Sequence, residues 1–233
     1  MKRATLQQIQ ADRAAKRPVV LATNLASGEE QLLYPTEPAV SSVASNLATK
    51  AAAALRSDRS ATVVIDGTTL FLHAYNPPLR MIIVGAVHIA QPLARMATLA
   101  DYDVTIVDPR RSFATDERFP GLEMAHDWPD EALERLKPDH RTAVVTLTHD
   151  PKLDDPALEV VLRSSAFYIG ALGSKRTHAA RIERLRLQDV AELDLGRIHG
   201  PVGLAIGAKS PAEVAIAIMA EATERLRAEP VLE

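Results

Sequence analysis

Between Arg80 and Arg110 the sequence runs RMIIVGAVHIAQPLARMATLADYDVTIVDPR, and no other stretch limits the fold so tightly. An apolar run, MIIVG, ends in a glycine. A helical pattern follows from His88 to Ala100, and a second apolar run, VTIVD, closes on Asp108. Two such runs joined by a helix pair in parallel, the layout of a dinucleotide-binding βαβ unit, and Asp108 stands near the spacing at which an acid meets the ribose. In that unit one glycine makes the turn, a second lets backbone approach the pyrophosphate, and a third lets helix and strand pack. Here Gly85 is present, but Val87 and Ala90 occupy the other two positions. Alanine is a mild change at a packing position, whereas the methyl groups of valine take the space of a phosphate and resist positive φ. NAD, NADP or FAD in the usual pose is therefore disfavoured.

The alternation continues. Strand patterns TAVVTLTH and AFYIG are interleaved with helical patterns at Asp130 to Leu136, Asp155 to Arg163 and Ser174 to Leu187, and a last helix runs from Pro211 to Arg227. Short apolar runs between helices require a parallel sheet covered on both faces, so the expectation is an α/β, doubly wound, Rossmann-like domain over residues 80–233. Residues 1–79 read differently: strands PVVLATNL and EQLLYP, an Ala-rich helix from Pro38 to Ser57, and a hairpin, ATVVIDGTTLFLHAY, turning at Asp66-Gly67. This predicts a smaller N-terminal α+β domain, ended by the structure-breaking Asn76-Pro77-Pro78.

A formal charge of -3 leaves no electrostatic footprint for nucleic acid. There are no cysteines, which removes disulfides, thiolate metal sites and a sulfur nucleophile. The basic N-terminus MKRATLQQIQADRAAKR lacks the apolar core of a secretion signal, and no apolar run is long enough to span a bilayer, so a cytoplasmic location is expected.

Four further stretches carry candidate chemistry. The loop DPRRSFATDERFP sets Arg110, Arg111 and Arg118 after Asp108 at the carboxyl end of a strand, where open α/β sheets bind ligands and arginines suit phosphates or carboxylates. In YIGALGSKRTHAARIERL a strand ends at Gly170, a turn passes Gly173, and a helix begins with Ser174, Lys175, Arg176 and Thr177. Free amides, two cations and two hydroxyls make it the strongest anion-site candidate, although it is not a Walker A loop. THDPKLDDPAL offers His149, Asp150, Asp154 and Asp155 for metal binding or proton relay, with Asp155 more simply a helix cap. Finally, Gly200, Gly203 and Gly207, with His199 and Lys209 nearby, imply close backbone approach to some neighbour.

Together GAVHIA, VDPRRSFATDERFP, THDPKLDDPAL, YIGALGSKRTHAARIERL and IHGPVGLAIGAKSPAEVAIAIMAE resemble the XdhC/CoxI family of accessory proteins for molybdenum hydroxylases. The likeness runs from about Arg80 to Arg227. It implies a dimeric chaperone, not an enzyme, that carries molybdenum cofactor as cargo and assists sulfuration or insertion into an apo molybdenum hydroxylase of the xanthine or CO dehydrogenase class. It also implies cofactor contacts from Gly85, His88, Asp108, Arg110, Arg118, Gly170, Gly173, Ser174, Lys175, Arg176 and Thr177, with no catalytic or metal-ligating residue. Full-length members carry an SGGCVE-like cysteine motif that residues 1–79 lack, so the resemblance is to an N-terminally shortened member. A cysteine desulfurase or a full-length, cysteine-containing relative would then be a partner. The competing readings are an NAD(P)-dependent oxidoreductase using His149 and Asp108, and a degenerate regulatory subunit.

Overall fold

A computed structural model describes residues 1–35, 42–188 and 190–228, and the chain divides into two compact units, Met1–Pro77 and Pro78–Glu233. The first contains α1 (Arg3–Ala14), β1 (Val19–Asn24), β2 (Glu30–Leu33), α2 (Ser42–Ser57), β3 (Ala61–Ile65) and β4 (Thr68–Tyr75). Its four strands form an antiparallel sheet in the order β2-β1-β4-β3. Asp66 and Gly67 both have positive φ, 49° and 74°, as a two-residue turn matched to strand twist requires. The expected start of α2 at Pro38 lies outside the described residues.

Alternation along β1 sends Val20 and Ala22 to one face, against Ala51 of α2 and Leu72, and Val19 and Leu21 to the other, against Ile9 of α1. The basic N-terminal segment is thus a helix, and it reads as polar because Ile9 and Asp12 are the residues it buries while most of the others face solvent. That carboxylate accepts from Arg17 Nε at 2.9 Å, Tyr34 Oη at 2.8 Å and Gln8 Nε2 at 3.0 Å. Burial alone would lift its pKa, but these donors hold it below the ordinary value of 3.8.

The second unit contains β5 (Leu79–Val84), α3 (Ala90–Leu99), β6 (Tyr102–Val107), β7 (Glu123–Ala125), α4 (Pro129–Leu136), β8 (Thr142–Thr146), α5 (Pro151–Leu162), β9 (Tyr168–Ala171), α6 (Lys175–Arg186), α7 (Glu192–Leu195), β10 (Ile198–His199) and α8 (Pro211–Arg227). Six parallel strands lie in the order β10-β9-β8-β5-β6-β7. One face, with Met81, Ile83, Ile106 and Val145, is covered by Leu93 and Ala97 of α3 and Ala215 and Ile218 of α8. The other, with Ile82, Val84, Val144 and Ile169, is covered by Leu133 of α4, Leu158 and Val161 of α5 and Leu185 of α6. The doubly wound expectation therefore holds, and its order reverses beside β5. Chain leaving β5 goes to β6 and β7 on one side, then returns to β8, β9 and β10 on the other, opening a crevice at the carboxyl ends of β5 and β8.

Element ends follow local chemistry. At α8, Ser210 Oγ accepts from Glu213 N while Glu213 Oε2 accepts from Ser210 N, a complete capping box. The sequence reading starts α5 at Asp155, but the helix begins at Pro151 with Asp150 as its cap, accepting from Lys152 N at 3.0 Å. Two Asp-Pro pairs compete here. Pro156 is tolerated inside the helix because the carbonyl it leaves without a donor, that of Lys152, is on an exposed residue. Inside the sheet edge, Tyr168 Oη donates to Glu221 Oε2 at 2.6 Å, Gly203 N donates to the same oxygen at 2.8 Å, and His199 Nδ1 lies 3.2 Å from Glu221 Oε1. Among the described residues no helix is long and apolar enough to cross a membrane.

Truncating Ile218, fully buried between α8 and the sheet, to alanine is expected to cost about 3 kcal/mol in urea unfolding. Ser210→Ala should cost about 1 kcal/mol, because it removes one capped amide. Circular dichroism midpoints check the ranking.

Candidate functional site

The crevice begins at Gly85. Its φ of 106° is left-handed, and a Cβ there would lie 2.6 Å from Thr148 Cγ2, so only glycine joins β5 to its turn while β8 passes alongside. The next amide, Ala86 N, donates to Asp108 Oδ2 at 2.8 Å. Asp108 is fully buried and also accepts from Arg110 N at 2.9 Å, Nε at 2.8 Å and Nη2 at 2.8 Å. Burial works to raise this carboxyl, but the Arg110 side chain and the Ala86 and Arg110 amides outweigh it and hold it below 3.8. The sequence reading gives Asp108 to a ligand; in the structure its oxygens are filled by Arg110 and the turn. Arg110 is the better exposed of the pair and stacks over Phe113 at 4.4 Å.

The phosphate seat is shut more firmly than Val87 alone implies. The helix starts at Ala90, two residues after the expected His88, and Ala90 N already donates to Val87 O at 3.1 Å. Ile89 offers no capping side chain, and Pro92 in the first turn has no amide hydrogen. The amides of Ala86 and Ala90 and the position of Pro92 are thereby removed from the donors that such a helix end would otherwise turn to pyrophosphate. His88 is exposed beside the turn. Arg118 Nη1 donates to Ala86 O at 2.7 Å and Phe113 O at 2.6 Å, so it clamps the 108–120 loop onto the turn.

Across the crevice, Thr148 to Asp150 forms the loop after β8. His149 is exposed and held at φ 61°, an uncommon conformation for histidine. Its support is Asp154, 1% exposed, which accepts from Thr148 Oγ1 at 2.6 Å and His149 N at 3.2 Å. Behind it lies Arg181 of α6, also 1% exposed, with Nη2 3.6 Å from Asp154 Oδ2 and donating to Leu172 O at 2.8 Å. Burial raises the Asp154 pKa and lowers that of Arg181. Arg181 Nε and Nη1, Thr146 Oγ1 and His178 Nδ1 are buried with no hydrogen-bond partner among the described residues. Asp155 turns away to pair with Arg184 at 2.5 Å, so Asp154 and Asp155 do not act as one carboxylate pair. Among the described residues no three histidine or carboxylate side chains are grouped to hold a metal.

The predicted anion loop follows β9, which β8 separates from β5. Gly85, His88, Asp108, Arg110 and Arg118 are thus brought together, while Gly173 to Thr177 stand one strand further along. There Ser174 Oγ accepts from Thr177 N at 3.1 Å and bonds Thr177 Oγ1 at 2.9 Å, so both hydroxyls serve the helix cap. Lys175 and Arg176 are exposed. Gly173, at φ 151°, lies under Thr177, whose Cβ would be 3.0 Å from an added Cβ. Gly170 is a core residue: a Cβ would lie 2.6 Å from Val202 Cγ2. Of the later glycines, Gly200 approaches the His178 ring of α6 and Gly203 the backbone of Ala217 in α8, whereas Gly207 has no close neighbour among the described residues and serves its positive φ of 77° instead. Arg181 escaped sequence reading because a lone arginine on a charged helix reads as surface. The available signal was its place four residues before Leu185, on the stripe α6 buries.

These features define an α/β nucleotide-type domain with an open switch-point crevice and a closed phosphate turn. Residues 81–222 match the family described as the XdhC Rossmann domain, and the chain belongs to the XdhC family. It is similar to a probable xanthine dehydrogenase subunit of Bacillus subtilis, 30% identical over 155 residues, which are 66% of this chain and 45% of the relative. It is also similar to the molybdenum cofactor insertion chaperone PaoD of Escherichia coli, 30% identical over 156 residues, 66% of this chain and 43% of that one. The matched segment spans less than half the length of these curated relatives. A crystal structure from Bacillus halodurans described as a xanthine dehydrogenase aligns with a TM-score of 0.74 at 26% identity, covering 97% of this chain and 67% of the other.

Because the Asp108 pKa is depressed on folding, its contribution is present above 3.8 and is lost as pH falls through the lower folded value. Asp108→Asn is therefore expected to melt well below the wild type at pH 7, with the gap closing below pH 3.8. Melting curves across pH test this. Gly85→Ala should destabilise at every pH.

Proposed function

We propose that this protein is an accessory chaperone that binds molybdenum cofactor as cargo and assists its insertion into, or sulfuration for, a hydroxylase of the xanthine dehydrogenase class. One observation carries the reading: the crevice is kept while the dinucleotide phosphate seat is closed by Asp108, Val87 and Pro92. Such a site favours a phosphorylated guest of another shape. The name of the PaoD relative supports molybdenum cofactor as that guest.

On this reading Gly85 and His88 line the floor, and Arg110 and Arg118, already fixed by Asp108 and Ala86, hold the crevice wall. Gly173 makes room for Thr177 at the α6 turn, where the amides and side chains of Lys175 and Arg176 attract the phosphate; Ser174, Thr177 and Gly170 act by shaping that turn and the strand before it. The fit is to an anion and not to a metal, since the sequence has no cysteine to meet molybdenum through sulfur. Any sulfur must then come from a cysteine desulfurase or a cysteine-containing relative. The protein is expected to work in the cytoplasm as a homodimer that meets the apo-enzyme.

Mixing the purified chain with molybdenum cofactor released from a donor enzyme is expected to give co-elution beyond an albumin control. The double variant Lys175→Ala/Arg176→Ala should lose most of that retention. Arg163→Ala, at the opposite end of α5, should keep it. No retention by wild type overturns the proposal, and micromolar NADH or NADPH binding by calorimetry would replace it with the oxidoreductase reading.

A further inference from the structure

The outer side of α3 carries a second concavity, distinct from the crevice. The helix turns Leu93, Ala94 and Ala97 into the core and leaves Gln91, Arg95, Thr98 and Leu99 toward the outside. The chain returning from the 108–120 loop runs beside that stripe, anchored by the buried Phe119 ring. Between them lies a cleft of about 350 Å³, the size of a small organic ligand site. Its lining is mostly apolar, with Leu99, Phe119 and Leu122 prominent, and Leu99 is 86% exposed. Two cations, Arg95 and Arg118, line it as well, and among the described residues no acidic side chain does.

That combination selects by charge as well as by apolarity. A neutral apolar molecule would leave the guanidinium groups to solvent. A polyphosphate would set several charges over an apolar floor with two cations to meet them. A molecule with an apolar or aromatic body and a single anionic group satisfies both parts. Arg118 also reaches beyond the cleft, since its Nη1 donates to Ala86 O at 2.7 Å beside the Gly85 turn. A guest that draws on this guanidinium competes with the bond that clamps the turn.

We propose that the cleft between α3 and the 118–122 segment is an effector site for a small amphipathic acid, and that Arg118 transmits its occupancy to the Gly85 turn. The proposal stands independently of which guest the crevice takes.

The probe is 8-anilinonaphthalene-1-sulfonate, an aromatic body with one anionic group, titrated by fluorescence into the full chain. Thr98→Trp, which fills the cleft from an exposed position, is expected to abolish saturable binding. Arg95→Ala should weaken it about fivefold, an effect that added salt diminishes. Neutral Nile red should be insensitive to Arg95→Ala. Amide exchange in the 81–92 peptide should rise with saturating sulfonate in the wild type and stay unchanged in Thr98→Trp. Unaltered sulfonate affinity in Thr98→Trp overturns the site. Equal insensitivity of both probes to Arg95→Ala reduces it to an apolar patch, and unchanged exchange overturns the coupling. Concentration-dependent self-association that Thr98→Trp removes would show that a second copy of the chain occupies the cleft instead. Melting curves establish that each variant is folded.

Discussion

The carboxylate of Asp108 holds the ligand-facing edge of the sheet together. One buried side chain satisfies the amide that follows Gly85 and three nitrogens of Arg110, so the turn after β5 and the loop after β6 become one piece. A buried carboxylate is costly unless its lone pairs are filled, and here they are filled from both sides. Everything else at this edge is placed relative to that junction: Arg118 rests on Ala86, Phe113 stacks on Arg110, and Thr148 packs where Gly85 has no side chain.

The opposite wall is built on another logic. Asp154 gathers the Thr148 hydroxyl and the His149 amide and keeps the loop after β8 in its uncommon conformation, while Arg181 stands behind it with two nitrogens lacking hydrogen-bond partners among the described residues. One wall is thus a saturated charge pair and the other an under-bonded one. The saturated side suits a fixed framework. The under-bonded side, with four buried polar atoms in need of partners, is the natural place for internal solvent.

Much of the fold was legible because independent local signals agreed. Ser210, Pro211 and Glu213 each mark the start of α8, and Asp66-Gly67 marks a turn that both flanking strands require. Where signals conflicted, the reading slipped, as with the two Asp-Pro pairs that moved the start of α5 from Pro151 to Asp155. The strands β7 and β10, three and two residues long, carry too little pattern of their own and exist because a neighbour offers an edge. Of the site, the residue types at the strand ends were visible, but their partners were not. Asp108 reads as a ligand acid until the fold shows that Arg110 takes it, and Arg181 reads as solvent-facing until α6 is seen to bury it. Sequence reveals which groups stand at an edge; packing decides which remain free.

The latch on Glu221 bears on how the molecule is made. This residue stands on α8, which follows the other described elements of the unit, yet it ties down Tyr168 and Gly203, and α8 lies against α3, the earliest helix of the unit. The flank of the first crossover helix is therefore covered by a segment that follows every strand of the sheet. Closure of the second unit consequently rests on contacts between segments distant in sequence, and loss of α8 would uncover α3 and release Tyr168 and Gly203.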